Sequence, residues 1–223
     1  MRRDGWCAIA GCVLVTFALA TIWAARATVP RHLYVSELGA QGAPTEHWFM
    51  GALLAIVAGG ALIAWAGRSV RAEVRWLAAW TPSVSLWVAC ALFLFASQVT
   101  CTAGCPLPYG PSFNWQDFWH TLAAVIAFVA TCFAMLQAAF ARRHRLIAIL
   151  SAASCILVGG IAATGGLLAL FRFQTILGSW LELVATTIGI VWVVVYGAAL
   201  ARTALARGDE PASSSQSALI ASA

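Results

Sequence analysis

The chain has 223 residues, of which 62% are hydrophobic and 9% charged, whereas an ordinary soluble domain carries about 25% charged residues. With a mean hydropathy of +0.86, this composition excludes a soluble globular domain and a disordered chain. All 13 basic residues are arginine and the net charge is +5; the arginines flank apolar runs, which assigns the charge to membrane topology and gives no ground for nucleic-acid binding.

Six apolar runs have about the length a helix needs to cross a bilayer, roughly 20 residues. They predict an all-α, polytopic membrane protein, a six-transmembrane-helix bundle over residues 1–204. The first run, 6–25, is followed by Ala25-Arg26-Ala27, which mimics a signal-peptide cleavage site; the run is long for a signal core and is read as a retained helix. The second, 48–67, carries Gly51, Ala55 and Gly59 at intervals of four, a spacing that allows helix backbones to approach closely. In the third, 76–99, Pro82 beside Ser83 and Ser85 predicts a bend near the start. The fourth and fifth, 118–141 and 146–170, are joined by Arg142-Arg143-His144-Arg145, a connection so short that the two must be antiparallel neighbours. Ala162 and Gly166 repeat the small-residue spacing on the fifth run, the sixth covers 181–201, and residues 205–223, rich in Ser and Ala, predict a disordered tail.

Arg2, Arg3, Arg68, Arg71, Arg75, Arg142, Arg143, Arg145, Arg202 and Arg207 fall on one side of such a bundle, and Arg26, Arg31 and Arg172 on the other. Positive connections are retained inside, so both termini and the tail are expected in the cytoplasm. The absence of Lys beside abundant Ala and Arg points to a high-GC bacterial genome, and hence to the bacterial cytoplasmic (plasma) membrane.

On that orientation Glu37, Glu46, Asp117 and Glu182 gather at the outer face with His32, His47 and His120, while His144 stays in the cytoplasmic charge cluster. The entries into the second, fourth and sixth helices each join an acid to a Trp: Glu46 with Trp48, Asp117 with Trp119, Glu182 with Trp180. Two readings stay open. In one, the acids cap helices, since Ser179 and Glu182 match the S-x-x-E box and Asn114 with Asp117 is analogous, and the Trp residues are interfacial anchors. In the other, the entries converge, and His47, Asp117 and His120 with Glu46 hold a divalent metal that activates water for hydrolysis, although no H-E-x-x-H motif is present. A haem or quinone between His47 and His120 would need ligands deeper in the membrane. Gln98, Thr186, Thr187, Arg172 and Glu182 are the polar residues available to a solute pathway, but no charged side chain lies at mid-depth.

In "CTAGC", Cys101 and Cys105 have a spacing compatible with a disulfide, which an oxidising compartment would favour and which would staple the second outer connection beside Pro106, Pro108 and Pro111. The C-x-x-x-C spacing is not that of dithiol oxidoreductases. Cys7, Cys12, Cys90, Cys132 and Cys155 lie within apolar runs and read as small core fillers.

The stretch "YVSELGAQGAPTEHWFMGALLAIVAGG", residues 34–60, runs from Ser36 through Leu38-Gly39-Ala40 and a Gly/Pro turn to an aromatic and a glycine-bearing helix. It resembles the DUF998 family of bacterial six-helix membrane proteins and, more distantly, the eukaryotic Frag/DRAM/Sfk group. The matching positions are Ser36, Gly39, Pro44, Gly51, His120 and Glu182; "CTAGC" belongs to neither pattern. The resemblance implies six helices with both ends inside and, through the distant group, a part in lipid organisation, lipid remodelling or membrane homeostasis. The expected function is therefore binding or organising lipid, or supporting another membrane protein, through the outer face. The ligand-binding candidates are Ser36, Glu46, His47, Asp117, His120, Arg172 and Glu182, with membrane lipids as partners and no nucleic acid. A metal-dependent membrane hydrolase of lipid amide or ester bonds and a small-solute transporter are the alternatives.

Overall fold

A computed structural model describes residues 2–29, 33–106, 110–141 and 145–208. Among them are six α-helices and no strand: α1 Arg2–Thr28, α2 Glu46–Ala66, α3 Pro82–Gln98, α4 Trp115–Ala139, α5 Arg145–Leu170 and α6 Thr175–Gly208. Short 3-10 turns sit at Ser36–Gly39 and Gly110–Ser112. All the helices except α3 are long and apolar enough to cross a membrane. At 1.5 Å per residue the 17 residues of α3 reach about 25 Å, short of the roughly 30 Å of a hydrocarbon core.

Each helix packs against its sequence neighbours, and α6 closes on α1, so the six antiparallel helices form a ring that α2 and α6 also bridge. Gly5 near the start of α1 lies against Leu205 near the end of α6, so these two ends share one end of the bundle. The other end, where α2, α4 and α6 begin, is covered by the connections before α2 and α4 and is called the cap end below.

Apolar residues run round the outside of the helices, where Val13, Phe17, Val129 and Ile156 are exposed, a distribution suited to lipid. Trp23, Trp48, Trp115, Trp119 and Trp180 are exposed towards the cap end, and Trp6, Trp65, Trp76, Trp80 and Trp87 towards the opposite end. Two such belts mark the two membrane–water interfaces. Inside the ring, small side chains such as Ala18, Ala52, Ala64, Ala127 and Ala134 are buried, which lets the helices approach.

The glycine spacing reads differently in three dimensions. A Cβ on Gly59 would lie 2.7 Å from the Gly11 carbonyl oxygen, and one on Gly11 would lie 2.6 Å from that of Gly59, so the α1 and α2 backbones cross there. Gly51 and Gly166 face open space; on α5 it is Gly165 that meets α6, at Leu181 and Gly178. Pro82 does not bend a helix begun at residue 76. It occupies the first turn of α3, with the Thr81 hydroxyl accepting from the Val84 N–H, because proline has a helix-ready φ and no N–H to lose. Residues 71–80 form turns, tied to α4 by the buried Gln137, whose amide donates to the carbonyls of Leu77 (3.3 Å) and Trp80 (2.6 Å).

At its start, α6 begins at Thr175, which places Ser179 inside the helix with its hydroxyl donated to the Ile176 carbonyl; the expected Ser179–Glu182 capping box is not formed. At its far end α6 continues to Gly208, so residues 205–208 of the expected disordered tail are helical; 209–223 lie outside the described residues, as do Arg31, His32, Pro108, Arg142, Arg143 and His144.

Candidate functional site

The cap is held by carboxylates within about the first two turns of the even-numbered helices, each catching backbone N–H groups of a connection. Glu46 accepts from the Gly42 N–H at 2.8 Å. Asp117, fully buried, accepts from the Thr102 N–H (2.7 Å), the Thr102 hydroxyl (2.8 Å) and the Asn114 side-chain amide. Glu182 accepts from the Val35 N–H at 2.8 Å. A buried carboxylate is tolerable only with several such donors, and charge-assisted bonds of this kind are the strong ones. Asn114 is the N-cap of α4, its side-chain oxygen accepting from the Asp117 N–H at 2.8 Å.

Cys101 and Cys105 are joined by a disulfide, with Cα atoms 5.1 Å apart, and Gly104 at φ +80 supplies the left-handed turn between them. The Cys101 carbonyl accepts from the Gln41 N–H (3.0 Å), so the two capping connections are bonded to one another. His120 Nδ1 lies 2.7 Å from the Val99 carbonyl oxygen and 3.1 Å from that of Ala96. Carbonyls only accept, so in the neutral ring Nδ1 carries the proton and Nε2 the lone pair; the imidazole thereby serves carbonyls that the end of α3 leaves open. Tyr34 packs its ring against Gly178, and its hydroxyl is buried with no hydrogen-bond partner among the described residues. Burial, with Glu182 and Glu37 nearby, pushes the Tyr34 phenol above its ordinary pKa.

Beneath the cap the ring encloses a cavity of about 120 Å³ lined by all six helices, its walls including Ile22, Phe49, Phe93, Phe128, Val158 and Ile190. Ser36, His120 and Glu182 line it at the cap end, and Thr131 and Thr186 are the other polar side chains on its walls. The lumen is thus mostly apolar, with its ionisable side chains, His120 and Glu182, at the cap end.

The remaining candidates lie elsewhere. His47 is exposed, and Arg172 is exposed in the turn between α5 and α6 at φ 51. Gln98 is exposed, and Thr187 accepts the Trp23 indole N–H at 3.2 Å. His47, Asp117 and His120 do not form a metal-ligating group. Among the described residues, the trio within ligating reach is Cys101, Cys105 and His120, whose ligand atoms lie within 4.8 Å of one another, and the disulfide engages both sulfurs, leaving no thiolate for a metal. Sequence pattern did not single out the partners of these acids, because most are backbone N–H groups, those of Val35, Gly42 and Thr102, that any residue type supplies. Nor did it find the Arg26 guanidinium over the Trp180 ring, 5.4 Å from its centroid, a pair from two helices far apart in sequence.

No curated protein and no solved structure shows significant similarity to the chain. The family model described as "Protein of unknown function (DUF998)" matches residues 8–201, from the first turns of α1 to the last of α6 and so through every helix and both capping connections. The chain, a membrane protein by its apolar helices, belongs to the DUF998 family.

Proposed function

We propose that this DUF998 member is a six-span protein of the bacterial cytoplasmic membrane, with both termini in the cytoplasm and the cap outside. In this reading it binds an acyl-chain segment of a membrane lipid in its lumen and acts in lipid organisation or in support of a membrane partner, without catalysis. The observation that carries the reading is the lumen itself, with apolar side chains from all six helices, Ser36, His120 and Glu182 grouped at the cap end, and Thr131 and Thr186 the other polar side chains on its walls. Ligand sites have this character, apolar walls with a few placed polar groups that fix orientation, and a dry cavity of this order accepts an apolar group of several carbons. The orientation is supported by Arg2, Arg3, Arg68, Arg71, Arg75, Arg145, Arg202 and Arg207 lying towards one end against Arg26 and Arg172 at the other. A hydrolase built on His47, Asp117 and His120 finds less support, since His47 is exposed and the Asp117 oxygens are taken up by Thr102 and Asn114.

The test is native mass spectrometry of protein purified in a mild detergent. At least one co-purified lipid per chain is the expected result. Protein that is consistently lipid-free, and that takes up none when lipid is added back, removes the reading.

A further inference from the structure

At the end opposite the cap, α1, α2, α4, α5 and α6 leave a cavity of about 350 Å³ whose lining includes Arg68, Ser69, Tyr196, Thr203 and Arg207, a size within the range of about 300–1,000 Å³ typical of ligand pockets. Tyr196 is 4% exposed, and its ring stacks on Trp192 with centroids 5.2 Å apart. The Trp192 indole N–H donates to the Ser151 hydroxyl at 2.9 Å, which fixes both rings. The Tyr196 hydroxyl is nevertheless buried with no hydrogen-bond partner among the described residues. A buried O–H is rarely left unpaired, because its lost hydration is not repaid.

The charge along the pocket lining favours an anion. The acid on the lining, Asp4, is engaged through both oxygens by Arg68 at 2.9 and 3.2 Å, so the pair is close to neutral and Arg207 leaves the pocket positive. Ala66, Val70 and Leu200 supply apolar wall beside these groups. The occupant this arrangement fits has several acceptor oxygens, a negative charge and an apolar portion.

We propose that this pocket binds the phosphate headgroup of an anionic membrane lipid, with the Tyr196 hydroxyl and the Arg207 guanidinium donating to the phosphate oxygens. Basic pockets between membrane helices suit such headgroups, and arginine matches phosphate geometry with paired donors. This site is separate from the lumen and lies at the other end of the ring. Free phosphate shares the headgroup chemistry.

The experiment titrates the purified protein with dioleoylphosphatidylglycerol and with dioleoylphosphatidylcholine, which have the same chains, and reads binding by native mass spectrometry. The wild type is expected to prefer the anionic lipid by about fivefold or more, as one arginine at a membrane surface contributes, and Arg207→Gln to narrow the preference to within about twofold. Tyr196→Phe, which keeps the ring stack, is the second variant, and narrowing in either supports the site. Equal binding of the two lipids to the wild type, or an unchanged preference in both variants, overturns it. Millimolar inorganic phosphate is the competing arm: no displacement is expected, and full displacement assigns the pocket to a soluble anion and overturns the lipid assignment. The two readings fail separately. Equal binding of both lipids sinks the headgroup site and leaves the lumen reading standing; binding of phosphatidylglycerol alone does the reverse.

Discussion

Asp117 gathers the Thr102 N–H, the Thr102 hydroxyl and the Asn114 amide into one buried carboxylate, so Asp117→Ala leaves the two Thr102 donors without this acceptor. A loss of about 2–3 kcal/mol is expected, read as a lowered melting temperature in detergent, whereas His47→Ala, at an exposed position, is expected to leave it unchanged. Tyr34 makes the cap sensitive to alkali. Its folded pKa lies above the ordinary value of 10.0, so the neutral phenol is favoured by the fold. The stability it contributes is full below about pH 10 and falls as pH rises beyond that value. Melting temperatures taken from about pH 9 to 11 should show this decline in the wild type and a shallower one in Tyr34→Phe. The Asn114–Asp117 cap was legible in the sequence because both partners lie within one helical turn. The partner of Glu182 was not, since Val35 is 147 residues away along the chain and offers only a backbone N–H. Sequence pattern singled out Ser36, His120 and Glu182, which line the lumen, but it gave the same weight to His47 and Arg172, which do not.

At the scale of the helices, close approach decides which glycines matter. Gly59→Leu places a side chain where Val15, Leu14 and the Gly11 carbonyl already stand within 3.1 Å, and because part of that contact is backbone, α1 and α2 must separate. Overpacking of this kind costs about 1–3 kcal/mol or more, so a marked loss of folded protein on size exclusion is expected. Gly51→Leu, at a position with nothing within 4 Å, is expected to elute as the wild type. The interval of four between Gly51, Ala55 and Gly59 identified a face but not the crossing point, which depends on where Gly11 of α1 arrives. On α5, sequence pointed to Gly166 where the structure uses Gly165, and one residue turns the contact by about 100° round a helix. The apolar runs predicted all six helices. Their starts at Pro82 and Thr175 were missed because a hydropathy window registers oiliness and not the first hydrogen bond.

For the whole molecule, hydropathy and loop chemistry outlined the ring, but not the space inside it. A lumen arises from how six helices meet, and no single run contains it. Gly189 lines that lumen on α6, and a Cβ added there meets nothing within 4 Å. A larger apolar side chain can therefore fill the cavity without moving backbone, a change that commonly stabilises by about 0.5–2 kcal/mol. The most direct test of a lipid-binding lumen compares Gly189→Leu with the wild type and with the surface control Gly51→Leu by native mass spectrometry. Gly189→Leu is expected to remain folded, with an equal or higher melting temperature, and to lose binding of phosphatidylcholine, which the headgroup pocket does not select, while the control keeps it. Full retention of phosphatidylcholine binding by folded Gly189→Leu would contradict the assignment of the lumen as the binding site.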